Sequence, residues 1–249
     1  MKTLTDSTAM ILAAGLGTRL RHLTSCRPKA LVPLAGKPLL QHVIEKLRSD
    51  GFRHVVINVH HFGEQIIDFV HNHDFGMQID ISDERQLLMD TGGGIVQATP
   101  LFYNSQVVMA HNVDIISDVD LNALCRGFQS SYDDAWLLTQ DRDTSRKLLF
   151  DDEDRLIGWK NSVTGEYKWV GDPIDNYHER AFSGMHFFRP TLFAEFELQP
   201  VSVIDLYLKL AAAKSIRSVA ISPNYWFDLG KPDQLRKAED QLKDLGYER

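Results

Sequence analysis

An apolar run, Ala9-Met10-Ile11-Leu12, stops abruptly at Gly15-Leu16-Gly17-Thr18-Arg19, and this junction constrains the fold more than any other stretch of the 249 residues. The run reads as a buried strand. The glycine-containing turn after it leaves backbone N–H groups free. From Ser7 to Ile44 there is no acidic residue, yet Arg19, Arg21, Arg27, Lys29 and Lys37 all fall there, in a chain of net charge −7. A strand, a glycine turn and a cluster of cations, in that order, build a site for a polyphosphate.

Two familiar phosphate loops are excluded by spacing. The dinucleotide fingerprint requires a third glycine where Leu20 stands. The P-loop requires a glycine, four residues, then Gly-Lys-Ser/Thr. Gly36-Lys37 and Gly230-Lys231 are each followed by proline, with Leu31 and Tyr225 at the first glycine position.

The rest of the chain reads as alternating strands and helices. Leu39, Leu40, Val43, Ile44 and Leu47 repeat at helical spacing, and Gly51 closes that helix. His54 to Val59 is a strand, Phe62 to His73 a helix, and Met77 to Ser82 a strand; Gly92-Gly93-Gly94 opens a short helix, and Gln106 to Ala110 is a buried strand. This order predicts right-handed crossovers and an α/β fold with a mostly parallel sheet. In the second half, strands are expected at Ala135 to Thr139, Arg155 to Trp159, Ala181 to Phe188, Ile216 to Ile221 and Tyr225 to Leu229. Helices are expected over Val201 to Lys214 and Lys231 to Leu245, with a long loop or hairpin from Asn161 to Asn176.

Composition adds little beyond exclusion. Hydrophobic content of 43% and charged content of 24% are those of an ordinary globular protein. No apolar run approaches the roughly 20 residues of a membrane span, and the first residues lack the apolar core of a signal peptide. Cys26 and Cys125 are far apart, so reduced thiols and a cytoplasmic location are expected. The mild acidity argues against nonspecific nucleic-acid binding, and neither nucleic acid nor a membrane is an expected partner.

The stretch L-A-A-G-x-G-T-R-L, then L-T, then P-K-x-L-x-P-x-x-G-K-P, resembles the signature of sugar-1-phosphate nucleotidyltransferases. The resemblance implies a Rossmann-like three-layer sandwich with a mostly parallel mixed sheet, the nucleotide-diphospho-sugar transferase fold. It implies one domain over 1–249, with a nucleotide-binding half of about 1–115 and a sugar-binding half of about 116–249. It places Leu12, Ala13, Ala14, Gly15, Gly17 and Thr18 around the triphosphate, with Arg19 and Lys29 as the catalytic cations.

Asn112-Val113-Asp114 follows a buried strand, where ligand sites of open α/β sheets lie. The family has Gly-Asp there, its aspartate holding magnesium, so the resemblance makes Asp114 a metal ligand and Asn112 a sugar-phosphate contact. Asp118 and Asp120 read instead as helix-start residues. Trp226-Phe227-Asp228-Leu229-Gly230-Lys231-Pro232 resembles W-x-D-x-G-[TK]-P and supplies Asp228 as the second ligand. Two carboxylates plus phosphate oxygens and water suit Mg²⁺.

Asp90-Thr91-Gly92-Gly93-Gly94 resembles the family's E-T-A-G-G element, which implies that Thr91, Gly92 and Gly93 approach base and sugar ring. Glu84 lies where relatives put a base-reading side chain. On the sugar side, Lys160-Asn161 stands where relatives carry E-K-P, so Lys160 is expected at the sugar phosphate and Asn161 at a hydroxyl. Ser183-Gly184 resembles the floor of the sugar pocket, and Asp205 lies in an element shared with short members. His60-His61 and His71-x-His73 lack a third ligand at zinc spacing, and no nucleophile set is recognisable.

The short length, with the D-T-G-G-G and F-S-G elements, is most similar to the N-acetylmuramate 1-phosphate uridylyltransferase and heptose 1-phosphate guanylyltransferase group. The expected substrates are an NTP, favouring UTP, and a sugar 1-phosphate, in a monomer or homodimer. Guanylyl transfer to a heptose or mannose 1-phosphate, cytidylyl transfer to a phospho-alcohol, and a non-catalytic nucleotide-sugar-binding subunit remain open at this point.

Overall fold

The structure is a computed structural model that describes residues 3–244. Its first half runs β1 (Ser7–Leu12), β2 (Pro33–Leu34), β3 (Lys37–Pro38), α1 (Leu39–Ser49), β4 (His54–Val59), α2 (Gly63–His71), β5 (Gln78–Asp83), α3 (Asp90–Ala98), β6 (Val107–Asn112), β7 (Ile115–Ser117) and α4 (Leu121–Ser130). The second half runs β8 (Ala135–Gln140), β9 (Arg146–Phe150), β10 (Leu156–Asn161), β11 (Glu166–Trp169), β12 (His178–Phe188), α5 (Val203–Leu210), β13 (Ile216–Ala220), β14 (Trp226–Asp228) and α6 (Pro232–Asp244). The terminal helix expected to reach Leu245 is seen to Asp244, and Leu245 lies outside the described residues.

Ten strands form one sheet in the order β11-β10-β9-β12-β6-β1-β4-β5, with β8 and then β13 continuing from the other edge of β12. The segment β5-β4-β1-β6 is wholly parallel. It is covered on both faces, which is why its strands read as unbroken apolar runs. Ala9 and Ile11 of β1 point to one core and Met10 to the other; Val55 and Ile57 of β4 divide from Val56 in the same way. The first core takes the apolar stripes of α1, α2, α4 and α6, including Val43, Ile66, Phe128 and Leu235. The second takes α3 and α5 through Ile95, Leu206 and Tyr207. Asp120 caps α4, its side chain accepting from the Ala123 N–H at 2.8 Å.

The second half corrects the sequence reading in two places. β9 was not expected, because Arg146-Lys147 hides the apolar triplet Leu148-Leu149-Phe150 behind it; all three are buried, since β9 lies between β10 and β12. Within the Asn161 to Asn176 segment, Glu166–Trp169 forms a strand paired antiparallel with β10, so of the two alternatives expected there this part is the hairpin. The helix expected over Val201 to Lys214 is confined to Val203–Leu210.

β12 joins the two halves. His178, Glu179 and Arg180 pair with β9, whereas Met185 to Phe188 pair with β6. The changeover falls at Gly184, where φ is +82. A Cβ there would lie 2.9 Å from Asn112 Nδ2 and Ile115 Cγ1, so only glycine lets β12 cross so near the end of β6.

His186 of β12 lies in the second core. Its Nδ1 is 2.6 Å from the Tyr207 hydroxyl and its Nε2 has no partner among the described residues. Burial pushes its pKa down to about 3. The unfolded chain takes up this proton near pH 6.5, while the folded chain stays neutral. The stability that His186 allows is therefore complete above about pH 6.5 and falls towards pH 3, by roughly 1.4 kcal/mol per pH unit. His186→Phe is expected to flatten the acid limb of stability between pH 6 and 4, read by urea denaturation; an unchanged slope refutes this role.

Candidate active site

From β1 the chain passes to β4 on one side of the sheet, while β6 is added on the other, so Leu12 faces both Asn58 and Asn112 in register. The carboxyl ends of β1 and β6 thus flank a topological switch point, where open α/β sheets bind ligands. A cavity of about 310 Å³ opens there, lined by Leu12, Ala14, Gly15, Lys29, Thr91, Asn112 and Asp114 among others.

The loop after β1 is held from behind by Asn58, the one polar residue inside the strand run Val55 to Val59. Its Oδ1 accepts the N–H groups of Ala13 at 2.6 Å and Ala14 at 3.3 Å, and its Nδ2 donates to Glu84 at 2.6 Å. Sequence reasoning missed Asn58; a buried amide at the carboxyl end of an apolar strand was the available signal. Gly15 is exposed, with nothing within 4 Å of a would-be Cβ, and it leaves the cavity mouth open. Gly17 has φ +65, and its missing Cβ makes room for the Lys29 stem at 3.0 Å. Lys29 is only 9% exposed, and its ammonium meets the Asp114 carboxylate directly. Thr18 and Arg19 stand on the exposed turn that follows.

Asp114 sits between β6 and β7. Val113, in place of the usual glycine, adopts no left-handed backbone and is buried, so the β-branched residue fits without strain. β14 pairs antiparallel with β7, placing Asp228 opposite Ile115, and the Leu229 N–H donates to the Asp114 carbonyl at 2.9 Å. Asp228 Oδ1 accepts from the Gly230 N–H at 3.0 Å. Gly230 is close to Arg19 as well: a Cβ there would lie 2.8 Å from the Arg19 guanidinium. Lys29 and Asp114 are therefore in contact, Asp228 adjoins the Asp114 backbone from a distant part of the chain, and Arg19 lies beside Gly230 next to Asp228.

A second cleft, of about 1,120 Å³, extends from Arg19 and Asp228 along β9, β10 and α5. Trp159, Lys168 and Asp205 line it, and Lys168 donates to Asp205 at 2.7 Å.

Several expected contacts are not where the resemblance puts them. Glu84 is neither exposed nor on the cavity wall: it is 2% exposed, and its second oxygen accepts from the Met89 N–H at 3.2 Å. Burial pushes its carboxyl above the usual range, against the hydrogen bonds from Asn58 and Met89. With both oxygens engaged, it braces Asn58. Gly92 and Gly93 are buried beneath the 199–202 segment rather than turned to a nucleobase. A Cβ on Gly92 would lie 2.8 Å from the Val201 carbonyl, and one on Gly93 would overlap that of Gln199. Gly94 likewise leaves room for Glu84, 2.6 Å from its would-be Cβ. Thr91 does line the cavity, and its hydroxyl also accepts from the Val203 N–H at 3.0 Å.

Lys160 faces away from the cleft. Strand alternation turns Trp159 inward and Lys160 outward, where its ammonium pairs with Glu179. Asn161 lies at the far end of the same strand, its Oδ1 accepting from the Val163 N–H at 3.1 Å in a turn. Gly184 contacts Asn112 from beneath.

The chain belongs to the nucleotidyl transferase family, whose sequence model matches residues 8–147. It is 31% identical to the N-acetylmuramate alpha-1-phosphate uridylyltransferase of Caulobacter vibrioides, over 94% of this chain and 96% of that protein. It is 28% identical to mannose-1-phosphate guanylyltransferase 1 of Arabidopsis thaliana, over 90% of this chain but 61% of that longer protein. Its fold is that of HddC from Yersinia pseudotuberculosis, solved with GMP-PN, at a TM-score of 0.75 and 20% identity, covering 94% of this chain and 99% of that one. These neighbours share the Rossmann-like nucleotide-diphospho-sugar transferase fold.

The two glycine environments separate packing from ligand access. Gly93→Ala is expected to destabilise the fold by about 2 kcal/mol, because the added methyl meets backbone that cannot give way. Gly15→Ala is expected to leave stability within about 0.5 kcal/mol while weakening nucleotide binding at the cavity mouth. Chemical denaturation and calorimetric titration with UTP read the two effects; the reverse pattern would falsify the assignment.

Proposed function

We propose that this chain transfers a nucleoside monophosphate from an NTP to a sugar 1-phosphate and releases pyrophosphate, with UTP and an N-acetylmuramate-like sugar phosphate as its substrates. The observation that carries this reading is the contact of Lys29 with Asp114 at the switch-point cavity, with the β7–β14 ribbon bringing Asp228, on the wall of the adjoining cleft, next to the Asp114 backbone. The uridylyl assignment is supported by the relative of Caulobacter vibrioides, 96% of whose length is matched, whereas 61% of the longer guanylyl relative is. In this reading the halves 1–115 and 116–249 act as one domain, since β14 pairs with β7 and sets Asp228 beside the turn after β6 that carries Asp114.

The acceptor phosphate is already anionic and attacks the α-phosphorus without a protein nucleophile. The protein's task is positioning and charge neutralisation. Lys29, held by Gly17 and Asp114, meets the triphosphate from the buried side of the cavity. Arg19 meets it from the exposed side. The Asn58 bridge keeps the 13–15 loop open to the phosphates. Asp114 and Asp228 offer hard oxygen donors from two adjacent backbone segments and fit Mg²⁺, which accepts an incomplete protein cage completed by phosphate and water. When bound, the ion neutralises charge on the reacting phosphates.

Pyrophosphate release with Mg²⁺ across UTP, GTP, CTP, dTTP and ATP, each against a panel of sugar 1-phosphates and phosphocholine, tests the reading. Release is expected with UTP and one sugar phosphate. Lys29→Ala should lower kcat by roughly 10²–10³-fold with the fold intact. Silence of the folded wild-type protein across the panel sinks the reaction, and near-normal turnover of Lys29→Ala sinks the role of that residue.

A further inference from the structure

The cleft beside Asp228 is rich in cations, and they are not equivalent. Lys168 is already neutralised by Asp205, and Lys160 pairs with Glu179 outside the cleft. Arg142 lines the cleft on the segment that follows β8, and no carboxylate among the described residues hydrogen-bonds to it. Its guanidinium is nevertheless fixed. One Nη donates to the Phe182 carbonyl at 2.9 Å, and the plane lies over the Trp226 ring at 4.6 Å. Its Nε is buried with no partner among the described residues. Trp226 is itself held by its indole N–H, which donates to the Ser183 carbonyl at 3.2 Å, and it belongs to the strand that carries Asp228.

A half-buried guanidinium with unmet donors is costly unless an anion completes it. Burial lowers the Arg142 pKa, with Asp228 acting in the opposite direction. A rigid, planar fork suits a tetrahedral oxyanion such as phosphate, which accepts two parallel N–H bonds. The position beside Asp228 sets Arg142 next to the reacting phosphates rather than at the remote end of the cleft.

We infer that Arg142 grips the phosphate of the acceptor, taking the task that the family resemblance assigned to Lys160. This rests on the proposed reaction for the identity of the acceptor. The grip on a phosphate can be measured without turnover.

Two readouts test it. In steady-state pyrophosphate release, Arg142→Gln is expected to raise KM for the sugar phosphate at least tenfold while KM for the NTP moves less than twofold. Arg142→Lys, which keeps the charge but loses the fork, should recover part of the loss. In the absence of turnover, inorganic phosphate is titrated against the fluorescence of Trp226, which underlies Arg142. Quenching is expected in the wild type, with tenfold weaker affinity in Arg142→Gln at an unchanged melting temperature. Should Arg142→Gln not fold, Arg142→Lys is read in both assays and must still weaken phosphate selectively. Wild-type silence in the turnover assay with an intact phosphate response discards the reaction and keeps Arg142. No phosphate response in the wild type, equal affinities in wild type and variant, or loss of affinity in Lys160→Gln instead overturns the inference.

Discussion

The short antiparallel ribbon of β7 and β14 is the constraint on which the site depends. It contains few residues, yet it sets Asp228 beside the turn that carries Asp114, with the Leu229 N–H closing on the Asp114 carbonyl. Without it, the first half of the chain would present a phosphate loop and one carboxylate, and the second half a polar cleft, with nothing to make them one site. The ribbon is braced on its outer side by α6, whose Leu235 and Ala238 share the first core with Leu229 and Ile116.

Within the nucleotide cavity, charge and shape are supplied by different residues. Lys29 and Asp114 are largely buried and compensate each other; removing either alone leaves a buried charge exposed to desolvation cost. Gly17, Asn58 and Glu84 carry no chemistry of their own but hold the loop and the lysine stem in place. The chain of contacts from Glu84 through Asn58 occupies the Ala13 and Ala14 N–H groups and fixes the loop backbone before any ligand arrives. Three consecutive glycines in α3 serve the same end. They let the 199–202 segment and the Glu84 carboxylate approach the helix backbone, so that α3, α5 and β5 close around one side of the cavity.

Much of the first half was legible because its determinants are local. The β1 run, the glycine turn and Lys29 lie within one short stretch, and their spacing specifies a loop whatever surrounds it. β4 and β6 were visible as apolar runs for the same reason. The second half was read less well. β9 was hidden because its charged first residues mask a buried triplet. Lys160 was misplaced because a resemblance fixes a position along a strand but not its face, and a strand sends neighbours to opposite sides.

By itself, then, the sequence determined an α/β chain with a polyphosphate loop at its first strand and two aspartates following strands or turns. Local backbone preference and the spacing of apolar residues are enough for that. Tertiary structure alone decided which polar groups face a ligand and which face the protein. Glu84 turned inward to Asn58, Lys160 outward to Glu179, and Arg142 into the cleft over Trp226. Each of those outcomes depends on a partner far away in the chain, and only the packed sheet brings the partners within hydrogen-bonding or stacking distance.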